Sequence, residues 1–130
     1  TVTDALEQGV AIPTIIAAVN ARIMSSYKSE RLNASQELTG PSVTFEGDKK
    51  AFINAVRDAL YCSKICSYAQ GMALLNVASQ NYGYDLNLSE CARIWKGGCI
   101  IRAGFLGKIQ SAFIENPTLP NLLLAPEFKQ

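Results

Sequence analysis

The sequence predicts an all-α fold, a helical bundle around one long central helix over about residues 48–82. Three observations predict it. Apolar residues recur at helical spacing, as in Ile15, Ile16, Val19 and Ile23. Capping residues and glycines bracket the apolar stretches. No run alternates apolar and polar residues as a half-buried strand does, and there is no internal repeat or low-complexity segment. A chain of 130 residues holds one domain with a single core and is too short for two.

Taken in order, a short helix fits Asp4 to Gln8, with Thr3 as its N-cap and Gly9 beyond its end. Pro13 suits the first turn of the next helix, where its missing N–H costs nothing. The pattern carries that helix past Tyr27 and Glu30 to Leu38, and Gly40-Pro41 ends it. Pro41 to Gly47 reads as a loop. Asp48 then caps the long helix and Gly83 closes it, a rod of about 50 Å at 1.5 Å rise per residue. From Ala59 to Ala78 the only charge is Lys64, so this stretch is expected to be buried nearly all round. Ala59, Ser63, Ser67 and Gly71 recur at intervals of four, a ridge of small side chains that another helix could approach closely. That ridge, together with Ser63, Ser67, Gln70, Asn76 and the lysine, argues against a membrane span. Asn87 and Glu90 are placed like a capping box ahead of a helix carrying Ala92, Ile94 and Trp95. Gly97-Gly98 interrupts or bends it. A last helix is expected from about Ile100 to Glu115, before Pro117, and the tail Leu119 to Gln130 reads as one short helical turn.

Composition narrows the function. Hydrophobic residues make up 48 %, a globular value, while charged residues are only 18 %, below the usual quarter. A chain so poor in charge is expected to cover part of its surface with a partner subunit or a neighbouring domain. A net charge of +1 with no basic run argues against a nucleic-acid partner. No histidine is present, which removes the commonest general base near neutral pH and the commonest metal ligand. The start, Thr1-Val2-Thr3-Asp4, is neither a signal nor a transit peptide and lacks an initiator Met, so the chain is expected to begin inside a longer protein. Cys62, Cys66, Cys91 and Cys99 sit among apolar neighbours and read as reduced, buried thiols of a cytoplasmic protein. Cys62 and Cys66 share a helix face, but their spacing is not that of common zinc sites.

Two arginines are the candidates for chemistry. Arg22 and Arg102 each lie in a small, apolar helical context, where a fixed positive charge requires an anion. Either an internal carboxylate supplies it, or the guanidinium fork grips a ligand phosphate or carboxylate. Gly104-Phe105-Leu106-Gly107-Lys108 lacks the spacing and the Ser or Thr of a phosphate loop, and no GxGxxG is present. No Ser or Cys has a histidine base, and the scattered acidic residues suggest no catalytic pair.

Several ordered strings then carry a resemblance. They are Ala21-Arg22 followed by Glu30-Arg31 and Ala34-Ser35; Gly47-Asp48-Lys49-Lys50; Ala59-Leu60-Tyr61; Ser67-Tyr68-Ala69-Gln70-Gly71; Gly98-Cys99-Ile100-Ile101-Arg102; Phe105-Leu106 with Lys108-Ile109; and Asn121-Leu122-Leu123-Leu124. Over its whole length the chain resembles the C-terminal helical domain of the decarboxylating 6-phosphogluconate dehydrogenases, and the Ser-Tyr-Ala-Gln-Gly and Gly-Cys-Ile-Ile-Arg strings are the most specific. The resemblance implies a fragment, residues 1–130, of a homodimeric, cytoplasmic, NADP-dependent enzyme that oxidises 6-phosphogluconate and decarboxylates it to ribulose 5-phosphate. It implies that the general-base Lys, the general-acid Glu and the NADP-binding domain lie upstream of Thr1. It also implies that the segment reaching the other subunit's site lies beyond Gln130. The one family site residue it places in this stretch is Arg22, which would bind the 6-phosphate. Arg102 receives no substrate role and no metal is expected. An acidic residue frequent in the family five positions before that Arg is Ala17 here, and Cys62 and Cys66 stand where many relatives have other small or apolar residues. The rival reading is a helical interaction module that kept the scaffold and lost the chemistry. A third is another member of the wider hydroxyacid dehydrogenase group.

Overall fold

The computed structural model describes residues 1–129, and every regular element among them is helical. Helix α1 spans Val2–Glu7 with Thr1 at its N-cap, two residues earlier than the sequence suggests, and Gly9 turns the chain with φ +67°. Helix α2 spans Pro13–Ser26, with the proline in its first turn. Helix α3, Lys28–Glu37, is separate from it, where the sequence pattern carries one helix through to Leu38. The break falls at Tyr27, whose φ of −78° and ψ of 50° are not helical. Two serines with hydroxyls bonded back to the helix lie just before it. Ser25 Oγ donates to the Arg22 carbonyl at 2.7 Å and Ser26 Oγ to the Ile23 carbonyl at 2.6 Å, so hydroxyls compete for carbonyls of the last turn.

Helix α4 spans Lys49–Tyr82, 34 residues, as expected. Asp48 caps it by accepting the Ala51 N–H at 2.8 Å, and Gly83, with φ +67°, ends it in the left-handed conformation that a side chain would strain. The expected all-round burial of Ala59 to Ala78 is not found. Ile65, Ala69, Met72, Leu74 and Ala78 are buried, whereas residues 59–64 are exposed. The ridge of small residues is likewise uncovered at Ala59 and Ser63, and a Cβ added at Gly71 meets nothing within 4 Å. Low charge is a statement about what a surface can be packed against, and over residues 59–64 the aromatic packing among the described residues is the Tyr61 ring, edge-on to Phe105 with centroids 5.7 Å apart.

Helix α5 spans Leu88–Ile94. Half of the predicted capping box forms. Asn87 Oδ1 accepts the Glu90 N–H at 3.1 Å, but the Glu90 carboxylate turns to Arg93 Nε at 2.6 Å. Helix α6 is Leu106–Glu115, not Ile100–Glu115. Gly98 takes φ +65°, Arg102 N–H closes a turn on the Cys99 carbonyl at 3.2 Å, and the Tyr68 hydroxyl donates to the Ile101 carbonyl. That carbonyl would accept the Phe105 N–H in a helix begun at Ile100. The tail forms two 3-10 turns, Leu122–Leu124 and Pro126–Phe128, where one was expected, and Gln130 lies outside the described residues.

Two apolar clusters organise these elements. The larger joins Ala69 and Met72 of α4 to Leu88 and Ala92 of α5, the inner face of α6 (Leu106, Ile109, Ala112, Phe113) and Leu122 of the tail. Tyr68 adds an edge-on ring against Phe105, centroids 5.1 Å apart. The smaller joins Ala5, Ile12 and Leu74, with Ile15 and Ile16 packed on it, and ties the start of α2 to α4. Both clusters use the second half of α4. From Ala17 of α2 through α3 to Lys64 no residue is buried.

Candidate functional site

The site is built on α2. Four backbone positions form its first turn, and each is accounted for. Pro13 has no N–H. Ile16 N–H bonds the Ile12 carbonyl at 2.9 Å. The remaining two donors, Thr14 N–H and Ile15 N–H, would be orphans, because the N-cap residue is Ile12 and offers no acceptor. The side chain of Gln70, on α4, takes both: its Oε1 lies 3.0 Å from Thr14 N and 3.4 Å from Ile15 N. Its Nε2 donates in turn to Thr14 Oγ1 at 2.9 Å. A carboxamide from one helix thus caps another, and the contact is partly buried beside Leu74, Ile15 and Ile16.

Arg22 stands eight residues beyond Thr14, about 12 Å along the axis at 1.5 Å per residue. It shares a face with Ile15, since a seven-residue step returns to within about 20° on a helix. Its side chain is exposed, and its recorded partner is Ser25 Oγ at 3.0 Å from Nη1. The ion pairs among the described residues are Arg57–Asp58 and Arg93–Glu90, so no carboxylate there neutralises Arg22. Of the two alternatives, an internal carboxylate is not found for Arg22 among the described residues, and the apolar helical context around it is itself exposed. What remains is a guanidinium fork in water, partly oriented by a serine one turn on and free to accept an anion.

Arg102 is exposed as well, in the turn ahead of α6. It lines a shallow concavity of about 400 Å³ with Lys96, Ala103 and Gly104, and Lys96 Nζ donates to Gln110. A second concavity, about 510 Å³, lies between the α4–α5 turn and the end of α6, lined by Asp85, Asn87, Ser89 and Phe113 among others. Neither includes Arg22.

All four cysteines are free; Cys62 is exposed and the others half-buried, so the expectation of buried thiols is met only in part. Burial pushes the Cys66 thiol up, helped by its neighbour Cys62, and burial with Glu90 nearby does the same to Cys91. Both shifts run opposite to the lowering that activates a thiol nucleophile. Among the described residues no group of three or more His, Cys, Asp or Glu side chains could hold a metal ion. No helix among them is long and apolar enough to cross a membrane.

The cap at Gln70 is the feature that residue-by-residue reading missed. A signal for it exists: Pro13 marks a helix start, yet Ile12 at the cap position is apolar, so the first-turn donors need an acceptor from elsewhere in the fold.

Comparison with known proteins places this geometry in context. The family model described as 6-phosphogluconate dehydrogenase, C-terminal domain, matches residues 1–130. The decarboxylating 6-phosphogluconate dehydrogenase of Synechocystis sp. is 72 % identical over 130 residues, which are all of this chain and 27 % of that protein. The enzyme of the same name from Staphylococcus aureus is 54 % identical over 126 residues, 97 % of this chain and 27 % of its own length. Among solved structures, the 6-phosphogluconate dehydrogenase of Plasmodium falciparum, determined in its apo form and in complex with its cofactor NADP+ and with its substrate 6-phosphogluconate, superposes with a TM-score of 0.87. That match has 40 % identity and covers 98 % of this chain and 28 % of that one. The chain thus spans about a quarter of the length of the relatives it matches.

Proposed function

Because this chain belongs to the 6-phosphogluconate dehydrogenase family, as a stretch of its C-terminal domain, we propose that it works as part of an NADP-dependent enzyme converting 6-phosphogluconate to ribulose 5-phosphate and carbon dioxide. Arg22 binds the 6-phosphate of the substrate. The observation that carries this reading is the exposed Arg22 fork, without a carboxylate partner among the described residues; the resemblance in sequence assigns the phosphate to the same residue. A dianionic phosphate is the ligand such a fork suits, through two parallel charge-assisted hydrogen bonds.

NADP is held by the upstream dinucleotide-binding domain. The residues of this stretch do not fit it: none of the described residues forms a strand, and there is no glycine-rich strand-to-helix turn to receive a pyrophosphate. The general base and general acid likewise belong to the upstream part, and the contribution of this stretch is binding and packing.

Packing is directed at a second copy of the subunit. Phe52, Ile53, Val56 and Leu60 lie within about 100° of one face of α4, Val19 and Ile23 within about 40° of one face of α2, and Tyr27 caps the end of α2. All seven are exposed. Each is roughly half in water, so covering them is worth on the order of 1 kcal/mol per residue. The low charged fraction of the chain supports the same conclusion, and four free thiols suit a cytoplasmic protein.

The test is an assay of the full-length enzyme with 6-phosphogluconate and NADP. Stoichiometric NADPH and carbon dioxide are expected, with none from residues 1–130 alone. Turnover by the clean fragment, or none by the full-length protein, overturns the reading.

A further inference from the structure

Helix α2 is held to the core at one end only; at its other end Arg31 Nη2 of α3 donates to the Ser25 carbonyl at 3.1 Å, and α3 itself has no buried residue. Its first turn is clamped by Gln70 and packed through Ile15 and Ile16 onto the cluster around Leu74, while every residue from Ala17 to Ser26 is exposed. A stiff helix fastened this way behaves as a lever. A rotation or tilt at Thr14 is carried along the axis and displaces a side chain two turns further on. Arg22 sits at that distance and on the face that Ile15 gives to the clamp. Apolar packing alone tolerates sliding and rotation of a helix by fractions of a turn. Directional hydrogen bonds at the first turn do not, and here one side chain makes three of them.

Accordingly, we infer that Gln70 is a positioning residue for sugar-phosphate recognition: by capping α2 from α4 it sets the orientation in which Arg22 meets the 6-phosphate. The inference rests on the reading of Arg22 given above. It assigns Gln70 no contact with substrate. Its Oε1 fills the site that a helix N-terminus otherwise offers to an anion, so that end of α2 is closed to the phosphate and the recognition is left to the arginine.

The inference is tested in the full-length enzyme by steady-state kinetics. Gln70→Leu keeps the apolar stem and removes all three hydrogen bonds. It is expected to raise the KM for 6-phosphogluconate by roughly tenfold, below the roughly hundredfold that a misplacement of a full ångström can cost, with kcat and the KM for NADP within about twofold. Gln70→Glu, which still accepts from both N–H groups at the positive end of α2, is expected to recover most of that loss. In an Arg22→Ala background Gln70→Leu is expected to add little, because the lever then carries nothing. If Gln70→Leu gives no soluble enzyme, Thr14→Val, which removes only the returned hydrogen bond, is read in its place, with a smaller rise in the same KM expected. A substrate KM unchanged in the variant read, additive effects with Arg22→Ala, or parallel losses in kcat and both KM values overturn the inference. The two readings fail separately. A normal substrate KM for Arg22→Ala removes the phosphate assignment and this inference with it, whereas a raised KM for Arg22→Ala beside a normal one for Gln70→Leu removes only the role of Gln70.

Discussion

Replacing Arg22 with alanine in the full-length enzyme separates binding from stability with unusual clarity. The side chain removed is exposed, packs into neither apolar cluster, and has Ser25 Oγ as its recorded partner. No carboxylate among the described residues is orphaned by its loss. The cost in stability is therefore that of an ordinary surface substitution, within about 0.5 kcal/mol. Alanine also favours the helix slightly over arginine. The cost in binding is different. A hydrogen bond to a charged group is worth about 1.5–3 kcal/mol, and at about 1.4 kcal/mol per factor of ten this predicts a tenfold to hundredfold rise in the KM for 6-phosphogluconate. The phosphate is remote from the reacting carbons, so its contact is made equally in the ground state and the transition state. The KM for NADP is expected to stay within twofold, and kcat to fall less than the KM rises. Arg22→Lys keeps a point charge but loses the planar fork, and belongs between the two. Initial rates of NADPH formation with each substrate varied give all of these quantities, and a thermal melt of the same samples gives the stability. An unchanged substrate KM in a folded variant refutes the assignment. A melting point lowered by many degrees refutes the premise that Arg22 is structurally idle.

Three other outcomes follow from the structure. Val56→Glu places a charge in the middle of the exposed apolar face of α4, and it is expected to shift the full-length enzyme from dimer toward monomer in sedimentation velocity while leaving its helical circular dichroism intact; a dimer of undiminished affinity removes that face from the interface. Ile109→Ala empties a fully buried position among α4, α5 and α6, at a cost of about 2–5 kcal/mol that lowers the melting temperature by on the order of 10 °C, and a loss of only a degree or two contradicts the assigned core. Because burial raises the Cys91 thiol, less thiolate is present at any pH near the ordinary thiol range, so iodoacetamide alkylation of Cys91 in the folded enzyme has its pH midpoint above that of an unfolded control; a midpoint at or below the control refutes this.

Much of the fold is legible in the sequence because its cues are local. Asp48 and Gly83 mark the ends of α4 by chemistry each carries alone, a carboxylate acceptor and freedom at positive φ. Pro13 marks the start of α2 for the same kind of reason. The misreadings arise where a distant group decides. Residues 100–105 have helical periodicity, yet the Tyr68 hydroxyl, thirty-three residues away in sequence, engages the Ile101 carbonyl and the helix starts at Leu106. The break between α2 and α3 falls beside Ser25 and Ser26, whose side-chain bonds to the last turn of α2 periodicity does not record. The candidate site divides in the same way. Arg22 is visible as a cation out of place among small and apolar residues. The grip on its helix is invisible, because Gln70 and Thr14 are fifty-six residues apart and nothing in either segment names the other.

The two halves of α4 carry different kinds of information. Its second half is buried by this chain's own α1, α2, α5, α6 and tail, and there low charge means core. Its first half carries charge at Lys49, Lys50, Arg57, Asp58 and Lys64, yet the apolar Phe52, Val56 and Leu60 between them are exposed among the described residues. The apolar positions of both halves obey the same rule that apolar surface is removed from water; only the identity of the covering surface differs. In the proposed enzyme that surface is a second subunit, so α4 is at once the centre of one domain and the wall of another. Helix α2 inherits this double position. Gln70 fastens its first turn to the intrachain half of α4, and its remaining turns, with Val19, Arg22 and Ile23, extend along the uncovered region as far as Tyr27 at the C-cap. Substrate binding through Arg22 is then sensitive to both attachments. Weakening the subunit contact at Val56 is expected to raise the KM for 6-phosphogluconate as the dimer dissociates, and a monomeric Val56→Glu enzyme with a normal substrate KM would show that the clamp at Gln70 suffices alone.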